Sequence, residues 1–173
     1  EKTKKYQTID PIEWKMTNRK FLRRSLSRRY NKNSYSRTNN SHSLTEIGVG
    51  YGIIEDVFVD GNTAYLAAAR YLVIMDISDR TNPTKIGELL LPGESINIFL
   101  SGGYAYVATS NEGLRIIDVS IPSSPKEISF YKTSDEIYGI FVSGSYAYIG
   151  ANSAGLKILD ISNPASPSEI GAY

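Results

Sequence analysis

The sequence predicts an all-β fold built from repeated four-stranded units, and three observations support this prediction. An apolar run that ends in aspartate recurs every 42 residues, at 72–76 (LVIMD), 114–118 (LRIID) and 156–160 (LKILD). Each run continues with Ile or Val, then Ser, and then a turn that contains proline. The remaining segments of each unit are short, rich in Val, Ile, Tyr and Phe, and bounded by Gly, Asn, Ser or Pro, as β-strands are.

The first 43 residues differ sharply in charge from the rest of the chain. Residues 1–43 contain 12 Lys/Arg and 3 Asp/Glu, a net charge of +9, whereas residues 44–173 contain 7 Lys/Arg and 15 Asp/Glu, a net charge of −8. Such an abrupt change indicates a boundary between two segments. We therefore treat 1–43 as a basic extension and 44–173 as the repeat region.

The basic extension contains one predicted helix. Asp10 can cap a helix and Pro11 suits its first position. Apolar residues then recur at roughly helical spacing among arginines and lysines, which predicts a basic amphipathic helix over about residues 11–29; these are Trp14, Phe21, Leu22 and Leu26. The stretch 31–43 is rich in Asn and Ser, and its composition predicts a loop or flexible linker.

Four short phrases make up each unit of the repeat region. The first carries a phenylalanine at the same place in every copy, at Phe58, Phe99 and Phe141. A glycine-containing turn separates it from the second phrase, as in a β-hairpin. Units of about 42 residues with four strands are typical of β-propeller blades. We expect a partial propeller with blades over about 56–91, 97–132 and 139–173.

The repeated phrases resemble those of the LVIVD-repeat family of β-propellers, whose name describes the run written here as 72–76 and its two copies. The resemblance covers about residues 44–173 and departs most in the first copy, where Arg80 stands in place of Pro122 and Pro164. It implies an extracellular or cell-surface location, because many members of the family are found there. It implies no common catalytic residue, and a propeller fold does not specify a function.

The repeated aspartates Asp76, Asp118 and Asp160 allow two interpretations. They are candidates for catalysis or metal binding, or each accepts backbone hydrogen bonds in the turn that follows it. Blade-related positions lie apart in space, whereas the ligands of one ion must converge. We therefore expect three structural turns.

The connections between blades carry the better candidates for partner binding. We expect them to cluster on one face of a propeller, where their acidic residues form either a binding surface for a cation or basic partner or ordinary solvated loops. Tyrosines beside them could anchor an interface. The candidates are Tyr51, Glu55, Asp56, Glu94, Tyr131, Asp135, Glu136 and Tyr138.

The composition excludes several kinds of site. The chain has no Cys and a single His, His42, so Cys-ligated metals and histidine-based triads are excluded. The acidic spacing fits no Ca²⁺ loop template. We expect neither a catalytic site nor a cofactor.

The leading hypothesis is a non-enzymatic binding or scaffold module that contacts a protein partner. One alternative is a fragment of a propeller enzyme whose site is completed by missing blades or a second chain. Another is binding of nucleic acid or an anionic membrane through the basic extension, which could instead dock on the acidic repeats. Three blades leave two apolar outer faces, which we expect to be covered by further blades, by the predicted helix, or by a second copy completing a six-bladed ring.

Overall fold

The structure is a computed structural model that describes residues 52–173. The predicted helix at 11–29, the predicted linker at 31–43 and the candidate residue Tyr51 lie outside this range. The described residues form twelve strands, and no helix among them is long and apolar enough to cross a membrane. The strands are β1 (Ile54–Asp60), β2 (Thr63–Ala68), β3 (Tyr71–Asp76), β4 (Thr84–Leu90), β5 (Ser95–Ser101), β6 (Tyr104–Thr109), β7 (Gly113–Asp118), β8 (Lys126–Tyr131), β9 (Ile137–Ser143), β10 (Tyr146–Ala151), β11 (Gly155–Asp160) and β12 (Ser168–Ala172).

The strands form three four-stranded antiparallel sheets in chain order. The first sheet contains β1–β4, the second β5–β8 and the third β9–β12, and each is a meander with no crossover. A register shift occurs between the third and fourth strands of each sheet, beginning at Ile74, Ile116 and Ile158. Bulges of this kind increase local twist, and their recurrence gives the three sheets the same local distortion. The predicted all-β fold of three four-stranded units is confirmed.

Glycine is required in the hairpins that join the first two strands of each sheet. Gly61, Gly102 and Gly144 have φ angles of 57°, 60° and 56°. L-residues with a side chain rarely adopt this left-handed conformation, whereas glycine adopts it readily. These hairpins lie at one end of the sheets, together with the proline turns after the third strands. We call this end the corner end, and the opposite end, which carries the connections between sheets, the loop end.

The sheets pack face to face through their apolar residues. Strand β5 lies between β1 and β9, β2 also contacts β5, and β6 contacts β9. One core fills the junction of the first and second sheets, and a second core fills the junction of the second and third. Because the second sheet is buried on both faces, its strands are nearly continuous apolar runs. Within the described residues no sheet lies on the outer face of the first or third sheet, so the array is open.

The repeated phenylalanines form a ladder along the first strands of the sheets. The ring centroids of Phe58 and Phe99 are 5.3 Å apart at an interplanar angle of 60°, and those of Phe99 and Phe141 are 5.3 Å apart at 68°. Tilted and edge-to-face pairs at this distance are favourable aromatic contacts. One residue per repeat thus links all three sheets.

A row of polar contacts runs beside this ladder and also crosses both junctions. The side chain of Asn97 donates from Nδ2 to Oδ2 of Asp56 (2.6 Å), and the same carboxylate oxygen accepts from the backbone N–H of Ile98 (3.0 Å). Oδ1 of Asn97 in turn accepts from the backbone N–H of Ile140 (3.0 Å). Asn97 therefore joins the first strand of the second sheet to those of both neighbours.

The fourth strands of the first and second sheets, β4 and β8, each pack on the proline turn of the next sheet. At the first junction a Cβ on Gly87 would lie 2.0 Å from the carbonyl oxygen of Pro122. At the second junction the equivalent residue, Ser129, donates a hydrogen bond of 2.5 Å to the carbonyl oxygen of Pro164. A glycine at the first position therefore permits a closer approach than a side chain would allow.

Replacement of Asn97 tests the contribution of the polar row. We expect Asn97→Ala to lower the free energy of unfolding by about 1–3 kcal/mol, because it leaves a partly buried backbone N–H of Ile140 without its acceptor. Chemical denaturation monitored by circular dichroism measures this change. Asn62→Ala, at an exposed position in a hairpin, is the matched control. Equal stability of the two variants would contradict a structural role for the row.

Candidate functional site

The repeated aspartates are held in local turns at the corner end. The backbone N–H groups of Ser78, Ser120 and Ser162 donate to Asp76, Asp118 and Asp160 over 2.8, 2.9 and 2.8 Å. The hydroxyl of Ser120 also donates to Asp118 over 2.6 Å. Each carboxylate thus fixes the start of its own proline turn, and the three do not converge.

Hydrogen bonding also changes the acidity of these carboxyl groups. The hydroxyl and backbone N–H of Ser120 lower the pKa of Asp118, and the backbone N–H of the following serine is the main cause of the lowered pKa of Asp76 and Asp160. Hydrogen bonds to a carboxylate favour its charged form. Within residues 52–173, no group of three or more His, Asp or Glu side chains is placed to hold a metal ion.

Two of the candidate acids at the loop end are occupied by structural hydrogen bonds. Asp56 belongs to the polar row and also accepts from the backbone N–H of Val57 (2.9 Å). Asp135 accepts from the backbone N–H groups of Ser153 (2.7 Å) and Glu136 (3.0 Å) and from the hydroxyl of Ser153. The Ser153 hydroxyl is the main cause of the lowered pKa of Asp135. Both carboxylates therefore fix the backbone segments whose N–H groups they accept.

Glu55 and Glu94 are the two candidate acids that the structure brings to one pocket. The pocket lies where the first and second sheets meet at the loop end and has a volume of about 270 Å³. Both glutamates are exposed, while Ser95 beneath them is buried and donates from its hydroxyl to the carbonyl oxygen of Ala69 (2.8 Å). The remaining candidate acid, Glu136, lies in the next connection.

The two described candidate tyrosines have different surroundings. Tyr131 packs against the second core and its hydroxyl donates to Glu169 of the third sheet, and burial followed by this glutamate raises the pKa of Tyr131 to about 12. Tyr138 is 59% exposed and donates from its hydroxyl to Glu136 over 2.8 Å. That hydrogen bond raises the pKa of Tyr138. Tyr131 thus binds two sheets together, whereas Tyr138 is presented at the surface.

A larger surface is the outer face of the third sheet, none of whose residues was among the candidates. Because Ala147 and Ile149 point into the second core, the alternation of β10 places Tyr148 on the outer face. Phe141 is opposite Tyr148 in the register and is 58% exposed. Leu156 on β11 is 39% exposed. These residues form an apolar face that no described sheet covers.

The repeat equivalents of the residues on this face are buried in the two sheet junctions. The counterparts of Leu156 are Leu72 and Leu114, both 0% exposed inside the two sheet junctions. Likewise Tyr148 corresponds to Tyr65 and Tyr106, which are buried in the same junctions. The outer face of the third sheet therefore carries the residues with which the first and second sheets each pack on their successor. The repeat alignment places these residues at conserved apolar positions of the unit, but the choice of candidates from the connections between blades passed them over.

The outer face of the first sheet is different. Leu66, Val73 and Met75 form a buried cluster with Ala64 and Ala68 there, and Val73 is 0% exposed. On the adjoining strand β1, Val57 and Val59 are 48% and 53% exposed. This face is thus apolar across three strands and open along its first strand.

The family of this chain follows from its three repeats. The LVIVD repeat model matches residues 51–90, 92–133 and 138–173, and each match corresponds to one of the three sheets. The chain belongs to the LVIVD repeat family. No curated protein sequence matches it at a significant level.

Similar folds occur in solved structures of low sequence identity. The computationally designed Ika4 protein aligns with a TM-score of 0.58 at 13% identity, over 70% of this chain and 72% of Ika4. A europium-containing methanol dehydrogenase aligns at 0.53 and 14%, over 69% of this chain and 26% of the dehydrogenase. The N-terminal domain of Nup159 aligns at 0.51 and 16%, over 69% and 34%. At these identities the likeness shows the fold alone, and this LVIVD-repeat chain spans only about a third or less of the last two proteins.

The aspartate turns predict a pH dependence of stability. Because folding lowers the pKa of Asp76, Asp118 and Asp160 below the unfolded value of about 3.9, these groups contribute stability above that pH. Their contribution is lost as the pH falls through the folded pKa values. We expect the Tm of Asp118→Asn, which keeps an acceptor oxygen for Ser120, to fall less steeply below about pH 4 than that of the wild type.

Thermal unfolding monitored by circular dichroism between pH 7 and pH 2 measures the difference. Asp60→Asn, at the exposed last residue of β1, is the control for removing one negative charge. If Asp118→Asn and Asp60→Asn show the same acid dependence, the proline turns are not stabilised by the Asp118 carboxylate.

Proposed function

We propose that this LVIVD-repeat chain is a non-enzymatic protein-binding module that acts as a scaffold. Its binding surface is the outer face of the third sheet. One observation carries the proposal: Leu156 is 39% exposed there, although both of its counterparts, Leu72 and Leu114, are 0% exposed against a neighbouring sheet.

Physical arguments support an interface at this face. Soluble proteins rarely expose contiguous apolar surfaces unless a partner covers them. Aromatic residues are enriched in the cores of such interfaces, and this face carries Phe141 and Tyr148. The face is also part of a hydrogen-bonded sheet, so its backbone is already ordered and binding would carry no entropic cost for ordering a loop.

The surroundings of the acids support a scaffold over a propeller enzyme. Catalytic groups must converge on one substrate position. Asp56 and Asp135 are instead used in hydrogen bonds that hold the loop end together. The pocket bounded by Glu55 and Glu94 offers a second surface, where two carboxylates beside the apolar Ile53 and Ile96 suit a cationic group of a partner. An extracellular or cell-surface location is the one that the family resemblance favours.

Replacement of Leu156 in the full chain tests the proposal. We expect the wild type to form particles larger than its 19.2 kDa monomer, because the open face promotes association, and Leu156→Asp to shift them towards the monomer. Multi-angle light scattering measures the mass. Binding of the dye 8-anilino-1-naphthalenesulfonate to any fraction with a free face should also weaken in Leu156→Asp.

The control is Ile121→Asp, which alters an equally apolar and more exposed position. Ile121 is 62% exposed in the proline turn of the second sheet, and the first repeat carries Asp79 at the same place. The proposal fails if the wild type is monomeric and both variants bind the dye as it does. It also fails if Ile121→Asp changes mass as much as Leu156→Asp.

A further inference from the structure

We infer that a pocket between the first and second sheets at the corner end binds a primary alkylammonium group, with Asp60 and Tyr65 as the residues that recognise the cation. The pocket has a volume of about 420 Å³, and we call it the corner pocket. Its walls are two sheets that pack on each other in the structure. The inference therefore goes beyond the proposed function and does not depend on what covers the outer faces.

Apolar side chains from both sheets line the corner pocket. Phe58 comes from the first sheet, and Leu100 and Val119 come from the second. Val119 is 4% exposed and belongs to the first core, on which Phe58 and Leu100 pack. The hairpin of the second sheet, with Gly102 and Gly103, also lines the pocket. These apolar walls can bury an aliphatic chain, as the walls of small-molecule sites generally do.

Tyr65 contributes a polar group that lacks a partner. Its side chain is 5% exposed, packs in the first core and lines the corner pocket. Its hydroxyl makes no hydrogen bond to another of residues 52–173 and so is open to the pocket. Burial, followed by the charge of Asp60, raises the pKa of Tyr65, which keeps the hydroxyl neutral at pH 7. Buried tyrosine hydroxyls normally have a hydrogen-bond partner, and a ligand in the pocket would supply it.

Asp60 gives the corner pocket a negative charge. It is the exposed last residue of β1, and its charge acts on the hydroxyl of Tyr65. None of the ion pairs of the described residues includes Asp60, and no Lys or Arg of that part of the chain lines the pocket. The second and third repeats have Ser101 and Ser143 at this position, so the carboxylate is specific to the first junction. A carboxylate without an ionic partner attracts a cation.

The two acceptors favour a primary ammonium over other cations. An ammonium has three N–H donors that rotate, so it can donate to the Asp60 carboxylate and to the Tyr65 hydroxyl oxygen together. A guanidinium presents a planar fork that matches a single carboxylate, and a quaternary ammonium has no N–H for Tyr65. A metal ion needs more ligands, and the described residues hold no group of three or more His, Asp or Glu placed to bind one.

Titration of the full chain with n-butylamine, followed by ¹⁵N-edited NMR, tests the site. We expect saturable shifts of the backbone amides of Gly102 and Gly103. The neutral analogue 1-butanol lacks the charge, and butyltrimethylammonium has the charge but no N–H. Each should bind at least about fivefold more weakly than n-butylamine, because each loses hydrogen bonds that the primary ammonium makes.

Two variants remove the recognition groups one at a time. Asp60→Ser introduces the residue that the other repeats carry at this position, and we expect it to raise the Kd of n-butylamine about tenfold or more. Tyr65→Phe keeps the ring in the core and removes only the hydroxyl, and we expect a rise of about fivefold. Tyr106→Phe removes the equivalent hydroxyl at the second junction and is the matched control, with an unchanged Kd. Circular dichroism confirms that each variant is folded.

A second ligand distinguishes the two sources of an alkylammonium group. Nα-acetyl-lysine methylamide carries the same group on a peptide backbone. If it binds more tightly than n-butylamine, the source is a lysine side chain of a protein. If it binds equally or more weakly, the source is a free alkylamine. Both results support an ammonium site in the corner pocket, provided that binding depends on Asp60 and Tyr65.

Other outcomes overturn the inference. One is a wild type that shows no saturable shifts at the corner pocket, and another is an Asp60→Ser or Tyr65→Phe variant that binds n-butylamine as tightly as the wild type. If Glu55→Gln weakens binding and Asp60→Ser does not, the amine occupies the loop end and the inference fails. The proposed function is tested separately, by the mass and dye binding of Leu156→Asp, and survives each of these outcomes.

Discussion

The structure depends on one constraint, which is that each sheet has two apolar faces and must be covered on both. A four-stranded meander of this sequence has its hydrogen bonds satisfied internally, but it has no polar face to turn to water. The second sheet shows the solution, because Leu114 and Ile117 are 0% exposed on opposite faces, against the third and first sheets respectively. Hydrophobic burial between repeats is therefore the main source of stability, as in other repeat arrays in which each unit contacts its neighbours.

Apolar faces alone would leave the sheets free to slide over one another, and polar contacts remove that freedom. The turn fixed by Asp160 positions the carbonyl oxygen of Pro164, which accepts from Ser129 of the preceding sheet. At the other end of the junctions, Asn97 links the first strands of all three sheets. These contacts are directional and short, so they set the register that apolar packing leaves undetermined. The repeated aspartates thus act through their turns and not as ligands.

The repeats made the fold predictable from the sequence. The period of 42 residues, the glycine hairpins and the aligned Phe58, Phe99 and Phe141 were sufficient to predict three four-stranded units. What the sequence did not predict is which polar residues cross the junctions. Asp56, Asn97 and Gly139 stand at the same repeat position. Because the three copies have three different residues there, the repeat pattern does not identify the polar row. The row depends on the packing of the sheets, which only the three-dimensional structure shows. The candidate acids were chosen because they lie in the connections between blades. That criterion does not distinguish Asp56 and Asp135, which make structural hydrogen bonds, from the exposed Glu55 and Glu94.

One position distinguishes the two internal junctions from the outer face of the first sheet. In the second sheet it is occupied by Arg115, which is 6% exposed, lies 3.3 Å from Glu127 in an ion pair and stands over the ring of Phe130 at 4.7 Å. In the third sheet it is Lys157, which pairs with Glu169 at 3.1 Å. The chain therefore places a charge at this position in both internal junctions. In the first sheet the residue at this position is Val73, which is 0% exposed although no described sheet lies against it. The outer face of the first sheet is therefore apolar and buried at the position where both internal junctions have a charged residue.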